Sequence, residues 1–170
     1  MRLQRQRQIF FGLLLMDKVR ILFLCTGNSC RSQMAEAWAR NLKGDSIEPY
    51  SAGIEVHGLN LRAVKVMAEA GLDISKQKSK SISELMSVHF DYVVTVCDNA
   101  NETCPVFPDK VKRLHISFDD PPRLTRSMQL EEEILDVYRR VRDEIRMFIE
   151  KIPDILSTET SRSHFTISSL

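Results

Sequence analysis

The sequence predicts an α/β fold: one domain, a three-layer sandwich whose four-stranded parallel sheet is flanked by helices. Three observations predict it. Short apolar, β-prone runs alternate with helix-forming segments, the pattern of parallel sheets built from strand–helix–strand units. The 170 residues, 43% hydrophobic and 28% charged, suffice for one ordinary core and fit a soluble globular chain. Cys25, Cys97 and Asp120 each follow a predicted strand, and such sheets bind ligands beyond the carboxyl ends of their strands. Those three residues are therefore expected at one edge. The net charge of +1 gives no reason to invoke nucleic acid or a membrane surface.

The first fifteen residues stand apart. A basic segment, Met1 to Gln8, precedes the apolar Ile9 to Leu15, a superficial copy of a signal peptide. The apolar run is too short to span a bilayer, and no small-x-small cleavage site follows. Residues 1–15 read as an appended, poorly ordered extension, and residues 16–152 as the domain.

Val19 to Leu24 is a largely apolar, β-prone run, and residues 18–24 form the first strand. Good helix formers run from Ser32 to Lys43, with Gly44 in the C′ place. Ile47 to Ala52 is a short strand that turns at Gly53. Asn60 caps a helix carrying Leu61, Val64, Met67 and Ala68 on one face, closed by Gly71. Ser81-Ile82-Ser83-Glu84 is a capping box opening a short helix. Asp91 to Val96 is the clearest strand and ends on Cys97, and residues 111–116 supply the fourth. In the last helix Ile134, Tyr138, Val141, Ile145, Phe148 and Ile152 recur at three- and four-residue steps. Pro153 is expected to stop that helix, leaving residues 153–170 as a tail that frays from residue 157.

The octapeptide Cys25-Thr26-Gly27-Asn28-Ser29-Cys30-Arg31-Ser32 joins a strand to a helix. Its backbone amides and the positive end of the following helix form a ready anion site. Five residues separate Cys25 from Arg31, so the loop can curl with the sulfur at its centre and the guanidinium at its rim. A tetrahedral oxyanion fits there, held by Arg31 and the amides while the sulfur attacks. The same field is expected to depress the Cys25 pKa, to roughly 4–7 as in other activated thiols. Gly27 lets the backbone approach the anion, and Asn28 tolerates a left-handed conformation. Ser32 caps the helix and can steady the thiolate, whereas Cys30 reads as core or wall.

Four cysteines, at 25, 30, 97 and 104, leave spacings of four and six residues. Neither is the two-residue spacing of zinc ribbons, and small secreted disulfide folds carry more cysteine. A redox arrangement in a reducing cytoplasm is the favoured reading, and no metal or organic cofactor is expected. As a relaxed helix, the polar segment between Cys97 and Cys104 would hold the sulfurs roughly 10 Å apart. A disulfide needs Cα atoms within about 7 Å, so forming one requires unwinding. Asp119 and Asp120 precede two prolines that stiffen the loop and can aim a carboxyl group at the anion site. His57, His89, His115 and His164 find no place in this constellation and read as structural or exposed.

Cys25-x5-Arg31-Ser32 after a strand resembles the phosphate loop of the low-molecular-weight protein tyrosine phosphatases. The fuller string from Cys25 to Glu36 more closely resembles the thioredoxin-coupled arsenate reductases built on that fold, and the likeness covers about residues 18–151. The resemblance implies reduction of arsenate, with phosphate or sulfate competing, in a monomer re-reduced by thioredoxin. It implies Cys25 as nucleophile, Cys97 and Cys104 as successive partners in a disulfide relay, and Asp120, ahead of Asp119, as the acid. Phosphatases of this fold carry an aromatic residue after their Asp-Pro, which this chain lacks. Some reductases of this type hold a monovalent cation behind the loop. Asn28, Glu36 and Ser51 match three of its ligands, and an acidic fourth falls on Lys80, which reads either as a solvated surface lysine of the run Lys76 to Lys80 or as an ammonium standing in for the ion. The alternative is a hydrolytic phosphatase of the same fold.

Overall fold

The computed structural model describes residues 18–107 and 110–163. The expected extension, residues 1–15, and His164 lie outside them. Four strands, β1 (Val19–Cys25), β2 (Ile47–Gly53), β3 (Tyr92–Thr95) and β4 (Lys112–His115), pair in the order β2-β1-β3-β4. Every pairing is parallel. Ile21 to Leu24 are wholly buried, as a central strand covered on both faces requires. The helices are α1 (Arg31–Lys43), α2 (Leu61–Glu69), α3 (Asp98–Glu102), α4 (Pro121–Leu124) and α5 (Glu131–Ser163). A 3₁₀ turn at Ile82–Leu85 opens on the Ser81–Glu84 capping box.

β2 and β3 flank β1 on opposite sides, so right-handed crossovers send the connections bearing α1 and α2 to opposite faces. Where two such connections diverge, a crevice opens beyond the strand ends. Cys25 is the last residue of β1 and lies at that crevice.

α2 ends as the sequence indicates. Gly71 has φ +84°, its N–H donates to Ala68 O, and Leu72 N–H donates to Met67 O, a Schellman closure. Two other expectations are corrected. Gly44 caps α1 in a right-handed conformation, with φ −58°, and a side chain there would run into the Arg40 carbonyl. Pro153 does not stop the last helix, which continues to Ser163. Proline forfeits one helical hydrogen bond. The apolar stripe through Val141, Ile145, Ile149 and Ile152 is buried against the rest of the core and outweighs that loss. No helix among the described residues is long and apolar enough to cross a membrane.

Candidate active site

The loop after β1 is tied down on two sides by distant segments. On one side Ile54, Glu55 and His57 donate backbone N–H bonds to the carbonyls of Cys25, Thr26 and Gly27 at 3.1, 2.8 and 3.0 Å. Asn60 N–H does the same to Ser29 at 2.9 Å. On the other side Lys80 N–H donates to Asn28 Oδ1 at 2.8 Å, and the Ser79 hydroxyl donates to the Asn28 carbonyl. Asn28 is held at φ 45°, the one non-glycine residue with positive φ among the described residues. Asparagine bears that conformation better than most residues.

The loop turns its donors inward onto the sulfur. Asn28 N–H donates to Cys25 Sγ at 3.1 Å, and Ser32 Oγ lies 2.8 Å from it. Asn28 Nδ2 donates to Ser32 Oγ at 2.9 Å, which leaves the hydroxyl proton free to point at the sulfur. Cys25 is itself buried, and that burial is the largest influence on its thiol. Desolvation pushes the pKa up, while the Ser32 hydroxyl and the Asn28 N–H pull the other way. This corrects the expectation of a depressed pKa. Two donors offset the cost of placing a thiolate at the floor of the crevice without reversing it.

Arg31 begins α1 and closes the rim. Its Nη1 donates to the Phe118 carbonyl at 2.9 Å, and Nη2 pairs with Asp120 Oδ1 at 3.1 Å. Asp119 faces away and pairs with Arg140 on α5 at 2.9 Å. Cys97 precedes α3 and is buried, its Sγ 3.4 Å from Thr26 Oγ1. Asn99 Nδ2 donates to the same Thr26 hydroxyl at 3.1 Å, so the start of α3 is joined to the loop. Cys104 lies beyond α3 and is half-buried, and desolvation raises its thiol pKa. All four thiols are free. Cys30 is buried, as expected of core or wall, and its pKa is pushed well up by desolvation. Among the described residues, no three His, Cys, Asp or Glu side chains gather as a metal cage.

Lys80, Asn28, Glu36 and Ser51 do converge. Glu36 is buried behind the loop, accepts a hydrogen bond from the Ser51 hydroxyl, and pairs with Arg40 at 2.6 Å and Lys80 Nζ at 3.6 Å. Lys80 Nζ also donates to the Lys78 carbonyl at 3.2 Å.

The histidines divide. His89 is exposed, and His115 bonds Thr95 and Asp98 at the edge of the sheet. His57 sits closer to the loop than its sequence context suggests: its ring Nδ1 lies 2.3 Å from where a Gly27 Cβ would stand. Only the pairing of residues 53–57 along the loop brings it there, so no local motif marks it.

The sequence matches the low molecular weight phosphotyrosine protein phosphatase family over residues 20–161. The chain belongs to this family. It is 53% identical over 130 residues to an arsenate reductase of Bacillus subtilis, covering 76% of this chain and 91% of that relative. It is 50% identical over 139 residues to an arsenate reductase of Bacillus licheniformis, covering 82% and 98%. A solved structure of an arsenate reductase in the phosphate-binding state superposes with a TM-score of 0.61 at 28% identity, covering 79% of this chain and 95% of that one.

One glycine in this family member is set by backbone alone. A Cβ at Gly53 would lie 2.2 Å from the Glu55 carbonyl oxygen and 2.8 Å from both Asn28 N and Thr26 O. Main-chain atoms cannot swing aside as a side-chain tip can. Gly53→Ala is therefore expected to destabilise the chain by about 1–3 kcal/mol, read as a fall in thermal midpoint. An unchanged midpoint would mean that the 53–57 segment is not held against the loop.

Proposed function

We propose that the chain is an arsenate reductase working through a three-cysteine relay. The observation that carries this reading is the position of Cys97, buried beside the anion loop and joined to it through Thr26, with Cys104 one short helix away. A hydrolytic phosphatase needs neither thiol. The identity to arsenate reductases across nearly their whole length supports the same reading.

Arsenate occupies the loop, its oxygens held by the amides of residues 26–32 and by Arg31. As arsenate seats, the Cys25 proton passes to one of its oxygens. The sulfur then attacks arsenic, and Asp120 protonates the departing hydroxyl, which leaves as water. Cys97 attacks the Cys25 sulfur, the S–As bond electrons pass to arsenic, and arsenite departs as a Cys25–Cys97 disulfide forms. Cys104 next attacks Cys97, freeing Cys25 and moving the oxidation to a Cys97–Cys104 bond. Thioredoxin reduces that bond by the same exchange, in the reducing cytoplasm that free thiols favour.

The test supplies arsenate, thioredoxin, thioredoxin reductase and NADPH and follows NADPH loss. Arsenate-dependent consumption is expected. Its absence alongside brisk aryl phosphate hydrolysis would assign the chain to the phosphatase reading, with which the shared family and the Arg31–Asp120 pair are equally consistent. Slow phosphate ester hydrolysis is compatible with the reductase reading.

Lys80 takes the part of a tethered cation in this scheme. Its ammonium lies 3.6 Å from Glu36, which Arg40 and the Ser51 hydroxyl also hold, and donates to the Lys78 carbonyl, while its backbone N–H holds Asn28 Oδ1. Activity is expected to be indifferent to exchanging potassium for sodium at constant ionic strength, and Lys80→Asp to create a potassium dependence. Strong potassium activation of the unmodified enzyme would show that Lys80 is not the substitute.

A further inference from the structure

Behind the loop lies a pair of glutamines that neither the anion chemistry nor the relay uses. Gln33, on the first turn of α1, is wholly buried. Its Nε2 faces three oxygens: the Asn28 carbonyl at 2.9 Å, Asn28 Oδ1 at 3.1 Å and the Lys78 carbonyl at 3.0 Å. Its Oε1 accepts from Gln77 Nε2 at 2.7 Å. Gln77 Nε2 also lies 3.3 Å from the Gln33 carbonyl. The direction of the Gln33 amide is thus fixed from both ends, since turning it over would set an oxygen against three acceptors.

Both Asn28 contacts bear on the reactive sulfur. Asn28 supplies an N–H to Cys25 Sγ, and its Nδ2 orients the Ser32 hydroxyl toward the same atom. The left-handed conformation of Asn28 aims that N–H, and such a conformation persists only where neighbours over-determine it. Gln33 grips Asn28 through both its carbonyl and its side chain. We propose that Gln33, oriented by Gln77, is a positioning residue for Cys25: it holds Asn28 so that the N–H and the Ser32 hydroxyl converge on the sulfur. The residue touches no reacting atom. Its importance to turnover rests on the reading of Cys25 as nucleophile, but its effect on the thiol does not.

The experiment compares the unmodified chain with Gln33→Met, which keeps volume and removes the donors, and Gln77→Met, which leaves Gln33 in place but unoriented. Iodoacetamide alkylation of the Cys25 peptide is followed by mass spectrometry across pH, alongside thermal melting. Losing one charge-directed hydrogen bond is expected to move the alkylation midpoint up by about one pH unit in Gln33→Met. Gln77→Met should give a smaller shift of the same sign. Arsenate turnover is measured in parallel. If it is absent from every chain while the midpoint still moves, the functional reading fails and the positioning role stands. A folded Gln33→Met whose midpoint does not move, even with a lowered melting temperature, would overturn the proposal and leave Gln33 a packing residue. Should Gln33→Met not fold, an unmoved midpoint in Gln77→Met would do the same.

Discussion

A Cys104→Ser chain is expected to release one arsenite per polypeptide and then stop, holding a Cys25–Cys97 disulfide. Cys97→Ser is expected to release almost none. The asymmetry follows from where the thiols lie. Cys97 is buried beside the loop, its Sγ within 3.4 Å of the Oγ1 of Thr26, the residue next to Cys25. Cys104 stands beyond a formed helix, Asp98–Glu102, whose five residues alone rise about 7.5 Å, with Thr103 lying between that helix and Cys104. A Cys97–Cys104 bond needs Cα atoms within about 7 Å, so α3 must unwind before the second exchange. Its length favours that. Five residues is far below what a helix needs to persist alone, and Asn99 Nδ2, with the Asp98–His115 pair, anchors its first turn. Quenched single-turnover mixtures, with disulfides mapped by mass spectrometry, read the order directly. A Cys104→Ser chain that cycles with thioredoxin would overturn the three-thiol scheme.

The sheet was legible in the sequence because its signal is apolar content. Ile21 to Leu24 and Val93-Val94 are buried on both faces, so they could be little else than apolar. The meeting of Cys25, Cys97 and Asp120 at one edge followed from strand direction alone. What escaped is what depends on segments far apart in the chain. The rule that proline ends a helix is local, and at Pro153 the buried stripe ending in Ile152 prevails over it. The direction of the Cys25 pKa shift escapes the sequence because the octapeptide displays its donors but not its covering. Residues 54–60 and 77–80, far from the octapeptide in sequence, bond to the loop from two sides, and the folded chain buries the sulfur. Gln33 looks like an ordinary helix former and Gln77 like part of a solvated lysine run. Only their mutual bond, 44 residues apart, gives them meaning. His57 against Gly27 is hidden for the same reason.

Asp120→Asn is expected to slow the chemical step by about 10²–10⁴-fold while leaving anion affinity nearly unchanged. Pro121 and Pro122 open α4 directly after Asp120, which stands at the N-cap without a side-chain bond to its own helix. The carboxyl group is therefore turned outward to the loop, where Arg31 holds it at 3.1 Å. Asparagine keeps the size and an oxygen for Arg31, so the guanidinium stays in place and only the proton donor is lost. Asp119 pairs instead with Arg140, both side chains about half exposed, and such surface pairs contribute about 0–1 kcal/mol. Asp119→Asn is thus expected to shift the melting midpoint slightly and turnover hardly at all. Phosphate titration separates binding from chemistry, and the single-turnover arsenite burst gives the rate of the step itself. A larger loss at Asp119 than at Asp120 would reverse the assignment, because it would mean that the carboxylate paired with α5 swings to the loop when the anion arrives.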